Sequence, residues 1–165
     1  MKRLTVSLVI LMSMLCNNTF GAEENEHHLP HDHIAILVGV AHEEKADGHS
    51  ENGYVAGLEY IRQFHEHWGL GAAFEFNSFG SDSVDRQAIL ALPISYFPDE
   101  RWRLFAAPGV EFHDRGDPDK AILRVGAGYE FELGHDMSFS PEFQIDFVSG
   151  GTKVYVLVFT LGFGF

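Results

Sequence analysis

Cysteine is nearly absent: Cys16 is the only one in 165 residues, and it lies in an amino-terminal apolar run. If that run is removed, neither disulfides nor thiol chemistry remain, a composition compatible with an oxidising envelope compartment. Basic residues are scarce, with 11 Lys+Arg against 24 Asp+Glu. An excess of carboxylates excludes binding to nucleic acid through its phosphates, which needs a basic footprint. Sustained helical apolar stripes are also missing beyond Ala22, and the one long apolar run, Leu4 to Leu15, falls short of the roughly 20 residues of a spanning helix.

That run has the order of a secretory signal. Lys2 and Arg3 supply a positive start, and Leu4 to Leu15 an apolar centre interrupted by Thr5, Ser7 and Ser13. Asn17 to Thr19 form a polar stretch before the small Gly21 and Ala22. Residues 1–22 are read as a cleaved signal peptide. Lipoprotein processing would need a small residue before Cys16, where Leu15 stands. Losing Lys2 and Arg3 takes the formal charge from −13 to −15. Residues 23–32, EENEHHLPHD, read as a flexible His-rich arm. Residues 33–165 are one domain's worth of chain.

Within that domain the apolar period is two. Met137, Phe139, Pro141, Phe143, Ile145 and Phe147 alternate with Ser138, Ser140, Glu142, Gln144 and Asp146. Leu123, Val125, Ala127, Tyr129, Phe131 and Leu133 alternate with Arg124, Gly126, Gly128, Glu130 and Glu132. Alternation marks strands with two different faces. The spacing predicts eight strands at about 33–42, 53–64, 68–78, 86–97, 102–112, 122–133, 137–148 and 153–165. Each is near the roughly 9–11 residues of a transmembrane strand. Tight turns are expected at His65-Glu66-His67, Pro98 to Arg101, Gly134-His135-Asp136 and Ser149 to Thr152, with longer loops around 43–52, 79–85 and 113–121. Short connections and an even strand number imply the all-β class: an eight-stranded antiparallel up-and-down transmembrane β-barrel.

The direction of the faces separates a membrane barrel from a soluble one. Leu157, Phe159, Leu161, Phe163 and Phe165 make one face continuously bulky, opposite Val158, Thr160, Gly162 and Gly164. The small face collects Glu59, Gln63, Glu75, Asn77, Gln87, Arg103, Glu111, Arg124, Glu130, Glu142, Gln144 and Asp146. Turned to lipid, a basic side chain at midplane costs about 2–4 kcal/mol, so this set is assigned to the lumen. Phe64, Trp68, Tyr96 and Trp102 then gather at one rim, as an interfacial aromatic belt requires.

These features, with the last strand Thr160-Leu161-Gly162-Phe163-Gly164-Phe165, resemble the small eight-stranded bacterial outer-membrane barrels of the outer-membrane protein A and X type over residues 33–165. The resemblance implies a Gram-negative outer-membrane location, both termini in the periplasm, and recognition of the terminal aromatic strand by the barrel-assembly machinery. It also implies outer-membrane lipids and lipopolysaccharide as surroundings, and a monomer. The short outward loops argue against adhesion.

The candidate chemistry is sparse. Arg103 and Arg124 are expected to pair with nearby glutamates as packing, because eight strands leave an interior that side chains fill. A narrow solute pore is the alternative. His27, His28, His31 and His33 cluster with Asp32, but lack fixed metal-site spacing. His42, His49 and His113 lie near outward loops with Glu43, Glu44, Asp47, Glu51, Asp82, Asp114, Asp117 and Asp119. That rim is read either as plain solvation or as weak divalent-cation binding towards lipopolysaccharide. Ser78, Ser81, Ser83 and Ser149 stand in no local histidine-x-serine motif, but folding could bring distant residues together, so a lipid-A-modifying enzyme is the runner-up reading and the solute pore the third. No catalytic, cofactor or metal residue is assigned. The expectation is a non-catalytic protein with a structural or surface-interaction role.

Overall fold

The computed structural model describes residues 32–80, 85–113, 118–134 and 136–165. The signal segment, arm residues 23–31, Ser81, Asp82, Ser83, Asp114, Asp117 and His135 lie outside them. The strands are β1 (Asp32–Glu44), β2 (Ser50–His65), β3 (Trp68–Phe79), β4 (Asp85–Ala91), β5 (Ile94–Tyr96), β6 (Trp102–His113), β7 (Lys120–Tyr129), β8 (Phe131–Glu132), β9 (Met137–Val148) and β10 (Thr152–Gly164). β4 with β5, and β7 with β8, are halves of single staves. Eight staves therefore form an antiparallel wall, which β10 closes by pairing with both β9 and β1.

The closure is staggered. Partners followed from Ala35 run through Glu59, Ala73, Ala91, Gly109, Ile122 and Val148 to Thr152. Thr152 lies one step beyond the Lys153–Glu44 pair, level with Lys45, ten residues on from Ala35. Such a stagger tilts the strands by about 35–45° to the barrel axis. Paired residues therefore climb from β1 towards β10, which later decides which side chains meet across the lumen.

Four differences from the sequence reading have physical causes. β1 takes in Asp32, assigned to the arm, because its N–H and carbonyl bond the backbone of Phe165 and Tyr60 donates to its carboxylate at 2.8 Å. β1 and β2 extend to Glu44 and Ser50, through the expected loop, because the backbone ladder continues where apolar alternation has ended. The fourth stave is broken after Ala91. Gly71 N–H donates to the Pro93 carbonyl at 2.9 Å, but Pro93 has no N–H to return. The sixth stave breaks at Glu130 because Pro141, opposite Tyr129 in the β9 register, has no N–H to give the ladder there, while Glu130 keeps the β6 register with its N–H on the Arg101 carbonyl at 2.7 Å.

Parity does the rest. Outward positions form an apolar band with no charged side chain from Ile34 to Val40 on β1, Leu70 to Phe76 on β3 and Leu104 to Val110 on β6. At the end holding Asp32 and Phe165, the band is bordered by paired aromatics. Trp68 lies 5.0 Å from Tyr96, and Trp102 lies 5.1 Å from Tyr129, between ring centroids. The interior is packed with Leu37, Val55, Phe79, Ile89, Val156, Val158 and their neighbours. At the opposite end, Gly150 and Gly151 turn β9 into β10 with φ of 99° and 90°, values that L side chains rarely adopt.

Candidate functional site

Ten of the twelve polar residues assigned to the lumen are buried: Glu59, Glu75, Asn77, Gln87, Arg103, Glu111, Arg124, Glu142, Gln144 and Asp146. Gln63 and Glu130 are half-exposed instead, because both sit at the aromatic end where the wall frays. Gln63 bonds the Glu66 carbonyl at 2.7 Å.

The buried charges gather at two stations. At the first, Arg103 donates from Nη1 to Glu59 Oε1 at 2.7 Å and from Nη2 to Glu59 Oε2 at 2.8 Å. Nη1 also reaches Glu142 at 3.3 Å, and Nε reaches Ser95 Oγ at 3.1 Å. This is the fork-to-fork geometry that suits guanidinium and carboxylate. The guanidinium lies 4.4 Å from the Phe105 ring centroid, adding a cation–π contact. Phe105 fits because Gly126 faces it, where a Cβ would stand 2.5 Å from the ring.

At the second station, Arg124 donates from Nε and Nη2 to Asp146 at 2.6 and 2.8 Å, and from Nη1 to Glu75 across the barrel. Arg124 pairs in register with Ala107, four residues along β6 from Arg103, so the stations lie at different heights. Arg124, Glu75 and Asp146 are 2%, 1% and 1% exposed. The interior is therefore filled by paired charge and aliphatic packing, as the narrowness of an eight-stranded barrel predicts. Arg103 and Arg124 do pair, and the partners include Asp146 as well as glutamates. Ser95 and Phe105 were not singled out from the sequence. Both have the parity of Arg103, and that was the signal available.

The end distal to the termini is polar. Glu43 and Glu111 are buried, His113 Nε2 lies 2.8 Å from Glu111, and Lys45 lies 3.0 Å from Glu51 and 3.6 Å from Glu43. The hydrogen bond to Glu51 raises the Lys45 pKa. His42 bonds Asn52 at 2.8 Å. His49 N–H donates to Asp47, which lowers that carboxyl's pKa. Glu44 is exposed near His42, and Asp119 is exposed at the start of the stave carrying β7. Among the described residues, no three His, Cys, Asp or Glu side chains are grouped to hold a metal ion. His33 opens β1 at the aromatic end, far along the strand from His42. Ser78 faces outward on β3 and Ser149 is exposed in the turn before β10.

No protein-family model matches the chain, and no curated protein matches it in sequence. Solved structures do match. The chain is similar to Ail, the attachment invasion locus protein of Yersinia pestis, with TM-score 0.55 and 16% identity over 82% of this chain and 99% of that one. It is similar to Neisserial surface protein A with TM-score 0.61 and 11% identity, covering 81% and 97% of the two chains. It is also similar to the outer membrane protein OprG from Pseudomonas aeruginosa, with TM-score 0.50 and 15% identity over 86% and 99%. With its closed antiparallel wall, the chain has the fold of the small eight-stranded outer-membrane β-barrels.

Proposed function

We propose that this protein is a non-catalytic resident of the Gram-negative outer membrane, with a structural or surface-interaction role exerted from its loop end. The observation that carries the reading is an interior packed with buried, paired charges behind an apolar exterior. The Arg124–Glu75–Asp146 station reaches across the lumen with side chains only 1–2% exposed, which supports a filled interior over a solute pore. The outward band gives the barrel a lipid-facing surface, since a lone apolar exterior of this extent has no stable place in water.

Membrane fractionation with electrophoresis of boiled and unboiled samples tests the location. An outer-membrane band whose mobility shifts on heating is expected. A freely soluble periplasmic protein would overturn the reading.

A further inference from the structure

The upper edge of the apolar band, at the loop end, is not uniform. On three neighbouring strands it carries Tyr54, Ser78 and Arg86, which are register partners in one row: Tyr54 with Ser78, and Ser78 with Arg86. All three face outward. Tyr54 is 75% exposed, Arg86 is exposed and Ser78 is half-buried. One step deeper the row is Ala56, Phe76 and Ala88. One step deeper again it is Leu58, Phe74 and Leu90. Two alanines flanking a phenylalanine, with bulky residues below, leave a hollow in the lipid-facing wall. Tyr54, Ala56, Phe76, Ser78, Arg86 and Ala88 line that concavity of about 460 Å³.

The row climbs with the strand tilt, so Arg86 rides highest, where a guanidinium reaches the headgroup region while its stem lies along apolar wall. Tyrosine belongs at the same interface. The nearby loop end is rich in carboxylates, so a cation on the outer wall here is a local reversal of charge. Guanidinium with two hydroxyls is a phosphate-binding set, with Arg supplying paired donors. An acyl chain beside the phosphate would fill the hollow below. A phosphate-bearing lipid matches both halves. In the outer leaflet, the one reached from the end distal to the termini, that lipid is lipopolysaccharide.

We infer that Tyr54, Ser78 and Arg86, above the Ala56–Phe76–Ala88 hollow, bind a phosphate of the lipid A moiety of lipopolysaccharide. The inference rests on the outer-membrane reading above. The test uses the full mature chain, folded in neutral detergent and mixed with diphosphoryl lipid A, phosphatidylglycerol or inorganic phosphate. Bound lipid is counted by native mass spectrometry. The wild type is expected to retain diphosphoryl lipid A in preference to phosphatidylglycerol. Arg86→Gln is expected to weaken retention about tenfold, the loss of a charge-assisted hydrogen bond. Ala88→Phe, which fills the hollow without touching the lumen, should also reduce retention. Equal retention by Arg86→Gln, equal binding of phosphatidylglycerol, or displacement by inorganic phosphate would each overturn the site. Heat-shifted mobility of every variant is checked in parallel. Its loss in the wild type would bring down the membrane reading, whereas its presence with unchanged lipid retention would bring down this site alone.

Discussion

Arg124 is long, charged and withdrawn from water, a placement that costs several kcal/mol unless the charge is paired and hydrogen-bonded. Asp146 answers two donors and Glu75 a third. Truncating the cation strands two carboxylates, so Arg124→Met should lower the unfolding free energy by about 3–5 kcal/mol. Adding Glu75→Gln and Asp146→Asn should restore most of the loss, because neutral amides cost far less to bury. Reversible urea titration of protein folded into phosphatidylcholine vesicles reads both, and a single variant as stable as wild type would refute the argument. Parity alone placed this arginine in the lumen. It could not name the partners, because Glu75 lies 49 residues and Asp146 22 residues away in sequence. Their meeting depends on the stagger of barrel closure, which no local pattern records. Gln63 and Glu130 share the same parity yet are half-exposed, since parity gives a direction and height along the strand decides burial.

At the scale of the strand, alternation located all eight staves and failed where the backbone departs from the side-chain pattern. The break after Ala91 is such a place. Leu92 N–H donates to the Pro108 carbonyl at 2.9 Å, and in an antiparallel hydrogen-bonded pair the return bond would come from residue 108, where proline has no N–H. Pro108→Ala supplies that donor and should stabilise the barrel by about 1 kcal/mol in the same urea titration. Gly39→Ala should act oppositely. A Cβ there would stand 2.2 Å from the Leu157 carbonyl, at the seam where β1 meets β10, so the heat-shifted closed form should be depleted. The turn before β6 carries a pH signature. Asp99 accepts N–H bonds from Arg101 and Trp102 at 2.8 and 2.9 Å, which hold its pKa below the ordinary 3.8. A folded pKa below the unfolded value means the turn is fully held above pH 3.8 and loosens as pH falls through the depressed value. The Arg101 and Trp102 amide shifts should therefore titrate together with a midpoint below 3.8, and a midpoint at or above it would deny the two bonds.

For the molecule as a whole, two faces of one alternation set both halves of the design: the outer face dissolves the barrel in lipid and the inner face closes it. The closure is in series. The Arg103 and Arg124 stations occupy different heights, with Leu37, Val158 and Ala107 among the aliphatic packing of the interior. Opening one station leaves the other across the only path. In planar bilayers the wild type should be silent, and so should the Glu59→Ala, Arg103→Ala double variant, since Arg124 still bridges Asp146 and Glu75. Adding Arg124→Ala and Glu75→Ala removes the second bridge and leaves Asp146 and Glu142 as carboxylates without their arginines in a widened lumen. That quadruple variant should conduct, with a preference for cations. Steady conductance in the wild type would show that water threads past both stations, and the sealed interior would no longer separate this barrel from a pore.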